Sequence, residues 1–400
     1  MVQEVVVVSA ARTPFGRYLG SLKDVPVVEL GKIAVEAAVE RACISPEVIE
    51  EVYIGHCFAP EAETPSVVGR QIALKAGIPP EVMAVTVDTA CCSSLLATRL
   101  AYQSIASGQA EVALAGGVES MSRMAYLVPP VIRWGTRIGH LVIEDFNYGL
   151  EYKGYNPVSV DAGEVALEYG VTREDQDRWA LQSQKRYAAA LAAGKFKDEI
   201  VPVKVPRKKG PPLQVERDEQ PRPDTTLEKL AQLPTVYGSP TVTAGNAPGL
   251  NDGATALVLM SRRKADSLGI KPLGRIKAAL GRSTNPRYIA SIPGIVIQEL
   301  LRRTGIDLGE IDLIEINEAF AAMPLVSSLV LAGGDKDKAR ALHEKINVNG
   351  GAIAIGHPVG ASGARILMTL LYELGRRGGG KGVAAICGGL AQGEAMLVEV

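Results

Sequence analysis

A block of this chain occurs twice. AVEAAVERACISPEVIEEVYIG, ending at Gly55, matches GIVIQELLRRTGIDLGEIDLIEIN, ending at Asn317. Ile44, Ile49, Val52 and Ile54 fall on Ile306, Ile311, Ile314 and Ile316, at one constant offset of 262 residues. Further on, CCSSLLATRL and GQAEVALAGG correspond to GASGARILMTL and GKGVAAICGG, with the offset drifting to about 270 as loop insertions would make it. Each copy reads helix, strand, small-residue turn, helix, strand, Gly-Gly. Duplication into two similar halves is the architecture this implies; the alternative is a chance match of amphipathic segments.

Short β-rich runs (VVVVSA, EVYIGH, VALAGG, LIEIN, VAAICGG) alternate with amphipathic helices such as ELGKIAVEAAVERA and ARILMTLLYELGRRG. That alternation predicts α/β layers with strands buried on both faces. The 400 residues, 47% of them apolar, suffice for a large core and more than one lobe. From about 120 to 245 the character changes: FKDEIVPVKVPRKKGPPLQVERDEQPRPDTTLEKL reads as a polar excursion. Its PRKKG run is a solvated loop or a docking surface for a phosphorylated ligand.

A formal net charge of −1 gives no global field for nucleic acid or a membrane surface. Cysteines 43, 57, 91, 92 and 387 have no CxxC spacing, so neither a disulfide framework nor a metal site is expected, and a reducing cytoplasm fits. The start, MVQEVVVVSAARTPFG, reads as a buried strand rather than a signal peptide. AFAAMPLVSSLVLAGG is too short to span a bilayer and contains Pro324.

Four stretches carry reactive groups. In VDTACCSSLLATRL, Cys91 and Cys92 stand where a strand turns into a helix, and the helix N-terminus is expected to lower a thiol pKa. Ser93 and Ser94 are the expected caps of that helix. In NVNGGAIAIGHPVGASGARI, His357 sits between Gly356 and Pro358 at a helix entrance, as a positioned base would. Cys387 ends the strand VAAIC before Gly388 and Gly389, whose backbone N–H groups suit an oxyanion site. Asn317 and Glu318 follow the strand of EINEAFA. Taken singly, each cysteine is as readily a small core residue, the histidine a satisfied one and the asparagine a cap. All four stretches lie at carboxyl ends of strands, where open α/β sheets collect ligands.

Together VDTACCSS, NEAFA, GHPVGASG, CGGLAQG and TVTAGNAPGLNDGA resemble the thiolase family, over essentially the whole chain. The resemblance implies five layers, α-β-α-β-α, in two similar halves, with a loop domain over coenzyme A. The boundaries expected are 1–120 for the N-terminal half, 121–245 for the loop domain, 246–270 for the return, and 271–400 for the C-terminal half. It implies Cys91 as the nucleophile, with Cys92 in the slot of a small residue. His357 would activate Cys91, Cys387 would be the acid/base, and Asn317 would hold an oxyanion-hole water. The N–H groups of Cys91 and Gly389 would form the other hole, and Arg222 and Pro248 would lie along the coenzyme A pocket. The activity implied is reversible cleavage of a 3-oxoacyl-CoA by coenzyme A, as in fatty-acid β-oxidation. Coenzyme A is then a substrate rather than a bound cofactor, no metal is needed, and a homodimer or homotetramer is expected.

The chain departs from the family pattern at three places: YNPVSVDAGEVA has no His-Met-Gly, Pro248 replaces a serine, and Ile289 to Pro293 replace Met-Gly-x-Gly-Pro. These departures imply an acyl group other than that of acetoacetyl-CoA. The alternatives are an acetoacetyl-CoA-specific acetyltransferase and a non-catalytic acyl-CoA-binding scaffold; a nucleotide-binding oxidoreductase would need a GxGxxG that VVVVSAARTPFG lacks.

Overall fold

The computed structural model describes residues 3–57, 64 and 66–400. In the N-terminal half, strands β1 (Val5–Arg12), β2 (Glu51–Gly55), β3 (Met83–Val87), β4 (Val112–Ser120) and β5 (Asn251–Ser261) combine with helices α1 (Val27–Arg41), α2 (Val68–Lys75) and α3 (Ser93–Ser107). Between β4 and β5 the chain makes a long excursion around helix α4 (Arg173–Ala192). The C-terminal half holds strands β6 (Gly274–Ser283), β7 (Leu313–Ile316), β8 (Lys381–Gly388) and β9 (Gln392–Glu399), with helices α5 (Ile292–Thr304), α6 (Ala322–Leu331) and α7 (Ser362–Arg376).

The strand order is β1-β5-β4-β2-β3 in the first half and β6-β9-β8-β7 in the second. Matching β1 with β6, β5 with β9, β4 with β8 and β2 with β7 gives the same order in both halves, with β2–β4 and β7–β8 parallel. The halves join where β1 pairs antiparallel with β6, Val5 opposite Ile276, so the two sheets run into one of ten strands that includes the short Gly16–Arg17 segment.

Successive residues of each strand enter different cores, as the two-residue period of a strand requires. On β1, Val6 and Val8 pack with α1 and α2, while Val5 and Val7 pack with α3 and α7. On β8, Ala384 and Ile386 join that same middle core, and Val383 and Ala385 face α5 and α6. The layers are therefore α1/α2, sheet, α3/α7, sheet, α5/α6. Each fully buried Val, Leu or Ile contributes ~1.5–3 kcal/mol through apolar burial.

The excursion is tied to both halves. Glu318 accepts hydrogen bonds from Trp179 Nε1 at 2.9 Å and Ser183 Oγ at 2.8 Å, both on α4, so it anchors that helix instead of facing a cavity. A hairpin pairs 203–205 with 213–215 and buries Val203, Val205 and Val215 in the α1/α2 core. Its PRKKG tip is exposed and lines none of the cavities described here.

Candidate active site

The turn between β3 and α3 is held tightly. Ala90 has φ +53°, a left-handed conformation that a non-glycine residue adopts only when its surroundings impose it. Ser93 Oγ accepts from Thr89 N at 2.9 Å and donates to Ala90 O at 2.6 Å, while Asp88 Oδ1 accepts from Ala90 N at 2.9 Å. Ser93 thus fastens the turn rather than capping α3. Ser94 reaches across the halves: its Oγ accepts from Ala364 N, on the first turn of α7, at 2.9 Å. The turn presents Cys91 to a cavity, whereas Cys92 is fully buried, its Sγ 3.5 Å from Ile386 O.

Across the seam, His357 Nε2 lies 3.3 Å from Cys91 Sγ. The imidazole is set by Ser362, whose Oγ is 2.6 Å from His357 Nδ1 and donates to Pro358 O at 2.8 Å. Because the serine proton is committed to Pro358, the serine oxygen accepts from Nδ1–H. Nε2 is then the bare nitrogen, ready to accept the Cys91 proton. Asn251 Oδ1 accepts from His357 N at 2.8 Å and fixes the backbone as well.

Burial governs the ionisation of this pair. It pushes the Cys91 thiol well above its ordinary value, with Cys387, Glu119 and Asp88 adding to the rise. It lowers His357 to about 3, and the charge of Arg365 contributes. The lowering expected from the helix start is overridden, because desolvating a thiolate outweighs the N–H groups at the helix end. At rest the pair is neutral, a thiol beside an imidazole.

Asn317 Nδ2 stands 3.5 Å from His357 Nδ1 and 3.4 Å from Nε2, equidistant from both ring nitrogens and so over the ring rather than in its plane. Arg365 Nη2 donates to Asn317 Oδ1 at 3.2 Å, and this turns the amide so that its N–H groups face the histidine. Cys387 is fully buried, and burial raises its thiol to about 12. Cys91, His357, Cys387 and Gly389 line one cavity of about 100 Å³, whose remaining wall includes Met121, Leu150, Tyr152, Val158, Ile289 and Phe320. A much larger groove of about 1210 Å³ at the carboxyl end of the chain contains none of these groups.

Comparison with known proteins fits this geometry. Residues 5–263 match the family described as thiolase, N-terminal domain, and residues 270–400 match thiolase, C-terminal domain. The chain belongs to the thiolase family. It is 43% identical to an acetyl-CoA acetyltransferase of Chromobacterium violaceum over 99% of both chains, and 42% identical to a beta-ketoadipyl-CoA thiolase of Pseudomonas aeruginosa over 100% of both. Among solved structures, the acetyl-CoA acetyltransferase of Bacillus anthracis superposes with a TM-score of 0.92 at 37% identity, covering 100% of this chain and 99% of that one. Human mitochondrial 3-ketoacyl-CoA thiolase in complex with CoA superposes with a TM-score of 0.90 at 37% identity, over 99% and 98%.

Two further residues named from the sequence of this thiolase lie on different cavities. Pro248 lines the cavity of Cys91, but Arg222 lines a separate one of about 160 Å³ with Gln184, Lys229 and Leu233. The segment 244–250 borders both, Ala244 and Gly245 on one side and Pro248 to Leu250 on the other. Sequence reasoning missed Ser362, Arg365, Asn251 and Glu119. Glu119 accepts from Cys57 N at 3.2 Å and Gly360 N at 3.0 Å, so one buried carboxylate joins the loop after β2 to the loop that carries His357. Of these, only Ser362 carried a local signal, five residues beyond His357 at a helix start.

Proposed function

We propose that this thiolase cleaves a 3-oxoacyl-CoA with coenzyme A to acetyl-CoA and a shortened acyl-CoA, and runs the reverse condensation, through an acyl-Cys91 intermediate. The observation that carries the reading is the 3.3 Å contact of Cys91 Sγ with the bare Nε2 of His357, beside a second thiol in the same cavity. His357 takes the Cys91 proton as sulfur attacks the 3-oxo carbon. The C2–C3 bond breaks, leaving acetyl-CoA as its enolate and the acyl group on sulfur. The protonated His357 and a water held by Asn317 stabilise the enolate oxygen, and Cys387 donates the proton to its carbon. The N–H groups of Cys91 and Gly389 hold the acyl oxygen. Coenzyme A then attacks the thioester, its thiol proton passing to Cys387; the Cys91 Sγ–acyl bond breaks, the sulfur recovers its proton from His357, and acyl-CoA departs. No step calls on a metal.

Coenzyme A would lie along segment 244–250, with its thiol in the Cys91 cavity and its far end near Arg222. Val158, Pro248 and Ile289, which stand at the departures from the family pattern, all line the catalytic cavity and support an acyl group other than that of acetoacetyl-CoA. The sheet-terminal strand β3 exposes Met83 and Val85, and the excursion exposes Trp134, Ile138 and Val142. These surfaces support a homodimer or homotetramer. The five free cysteines support a reducing cytoplasm; no described helix is long and apolar enough to cross a membrane.

Incubation with acetyl-CoA followed by peptide mass analysis tests the intermediate. Wild type and Cys92→Ala should carry an acetylated peptide that Cys91→Ala lacks. Label retained in Cys91→Ala would remove the nucleophile from this reading. A chain-length panel of 3-oxoacyl-CoA esters tests the acyl group, and strict preference for acetoacetyl-CoA would favour the narrower acetyltransferase.

A further inference from the structure

The catalytic cavity contains one polar side chain that the mechanism does not use. Tyr152 lies on the excursion, its ring edge-to-face with Phe146 at a centroid distance of 5.8 Å. Its hydroxyl lies against Gly389: a Cβ on that glycine would come within 2.2 Å of the Tyr152 oxygen and 3.2 Å of Ala90 Cβ. The phenol therefore stands beside both the nucleophile turn and the strand end that brings Cys387. None of the hydrogen bonds among the described residues involves this hydroxyl, and apart from Cys91, His357 and Cys387 the cavity it lines is walled by apolar groups, Met121, Leu150, Val158, Ile289 and Phe320 among them. Burial raises its pKa, so it remains a neutral O–H donor at physiological pH. An unpaired donor held in an apolar wall is a recognition element awaiting an acceptor. Among the described residues no lysine or arginine lines the cavity to compensate a carboxylate.

We propose that Tyr152 selects 3-oxoacyl-CoA esters whose acyl chain bears a neutral oxygen substituent beyond the 3-oxo carbon, by donating a hydrogen bond to it. This rests on the thiolase reading above and names its substrate class. A site that hydrogen-bonds a substrate group rejects the analogue lacking it far more strongly than a purely apolar pocket rejects a missing methylene.

The test is a matched pair of substrates, 5-hydroxy-3-oxohexanoyl-CoA and 3-oxohexanoyl-CoA, with 3-oxoadipyl-CoA as the anionic arm. Wild type should favour the hydroxylated ester in kcat/KM by about tenfold or more, with the anionic ester poorer. Tyr152→Phe, which keeps the ring packed on Phe146, should collapse that ratio towards one. A wild-type ratio near one, a preference for the anionic ester, or a ratio unchanged in Tyr152→Phe would each overturn the proposal. Acetoacetyl-CoA serves as the control: cleavage of it alone would overturn the proposal, whereas failure of wild type to cleave it or any of the three esters would defeat the thiolase reading itself, so the two failures are distinguishable.

Discussion

Cys91 and His357 are both neutral at rest because desolvation acts against the charged form of each. The sign has a kinetic consequence. With His357 lowered to about 3, no imidazolium is present at neutral pH to hold a thiolate, so free thiolate accumulates only as pH climbs towards the raised Cys91 value. Alkylation of Cys91 by iodoacetamide should therefore accelerate continuously from pH 6 to pH 9. A rate already at plateau near pH 6 would mean a standing thiolate–imidazolium pair and would contradict this. The three groups that the fold brings into one cavity, Cys91, His357 and Cys387, were each singled out in the sequence by a small-residue setting at a strand end or helix start, and together by the resemblance to the family. Their protonation was not, because it depends on how much water the two halves exclude when they close over the cavity. Arg365 was illegible for the same reason: an arginine inside a helical run looks like a surface residue until its helix is buried on all sides.

At the scale of elements, α3 and α7 were visible as periodic helices, and their small-residue starts marked the site. What the sequence could not supply was how the two ends meet. Gly363 has no side chain because a Cβ there would fall 2.7 Å from Leu95 N, so the helix starts touch backbone to backbone. Ser94 exploits that contact by capping α7 from α3, at a helix start whose own N-cap, Ala361, has no side-chain acceptor. A local reading assigns Ser94 to its own helix, as was expected, since capping rules are written for one chain segment at a time. Ser94→Ala should leave the Ala364 N–H buried and unpaired and lower unfolding stability by ~1–2 kcal/mol in a urea titration. An unchanged midpoint would show that the cross-half cap contributes nothing.

For the whole molecule, the duplication legible in the offset of 262 residues accounts for the repeated strand order, yet says nothing of what locks the excursion onto the halves. That lock centres on Arg12, the last residue of β1, which the sequence presents only as one basic residue in SAARTPFG. In the fold it is fully buried, its Nε donating to Glu199 at 2.9 Å and its two Nη atoms to Asp218 at 2.6 and 3.0 Å. Asp218 also accepts from Phe15 N at 2.8 Å and from the Tyr187 hydroxyl at 3.2 Å, so β1, α4 and the segment before Arg222 converge on one carboxylate. A long loop without such an anchor would have to be ordered by its own small core, and the entropy cost of ordering it would be correspondingly harder to offset. Replacing the guanidinium by an apolar chain of similar length leaves two buried carboxylates facing each other without a cation. Arg12→Met should therefore cost ~3–5 kcal/mol of stability, seen as a lower urea midpoint. Limited proteolysis of the variant should cut first between residues 121 and 250, because the excursion loses one of its ties while both sheets keep their pairing. Cleavage beginning instead within β1–β5 or β6–β9 would place the lock elsewhere.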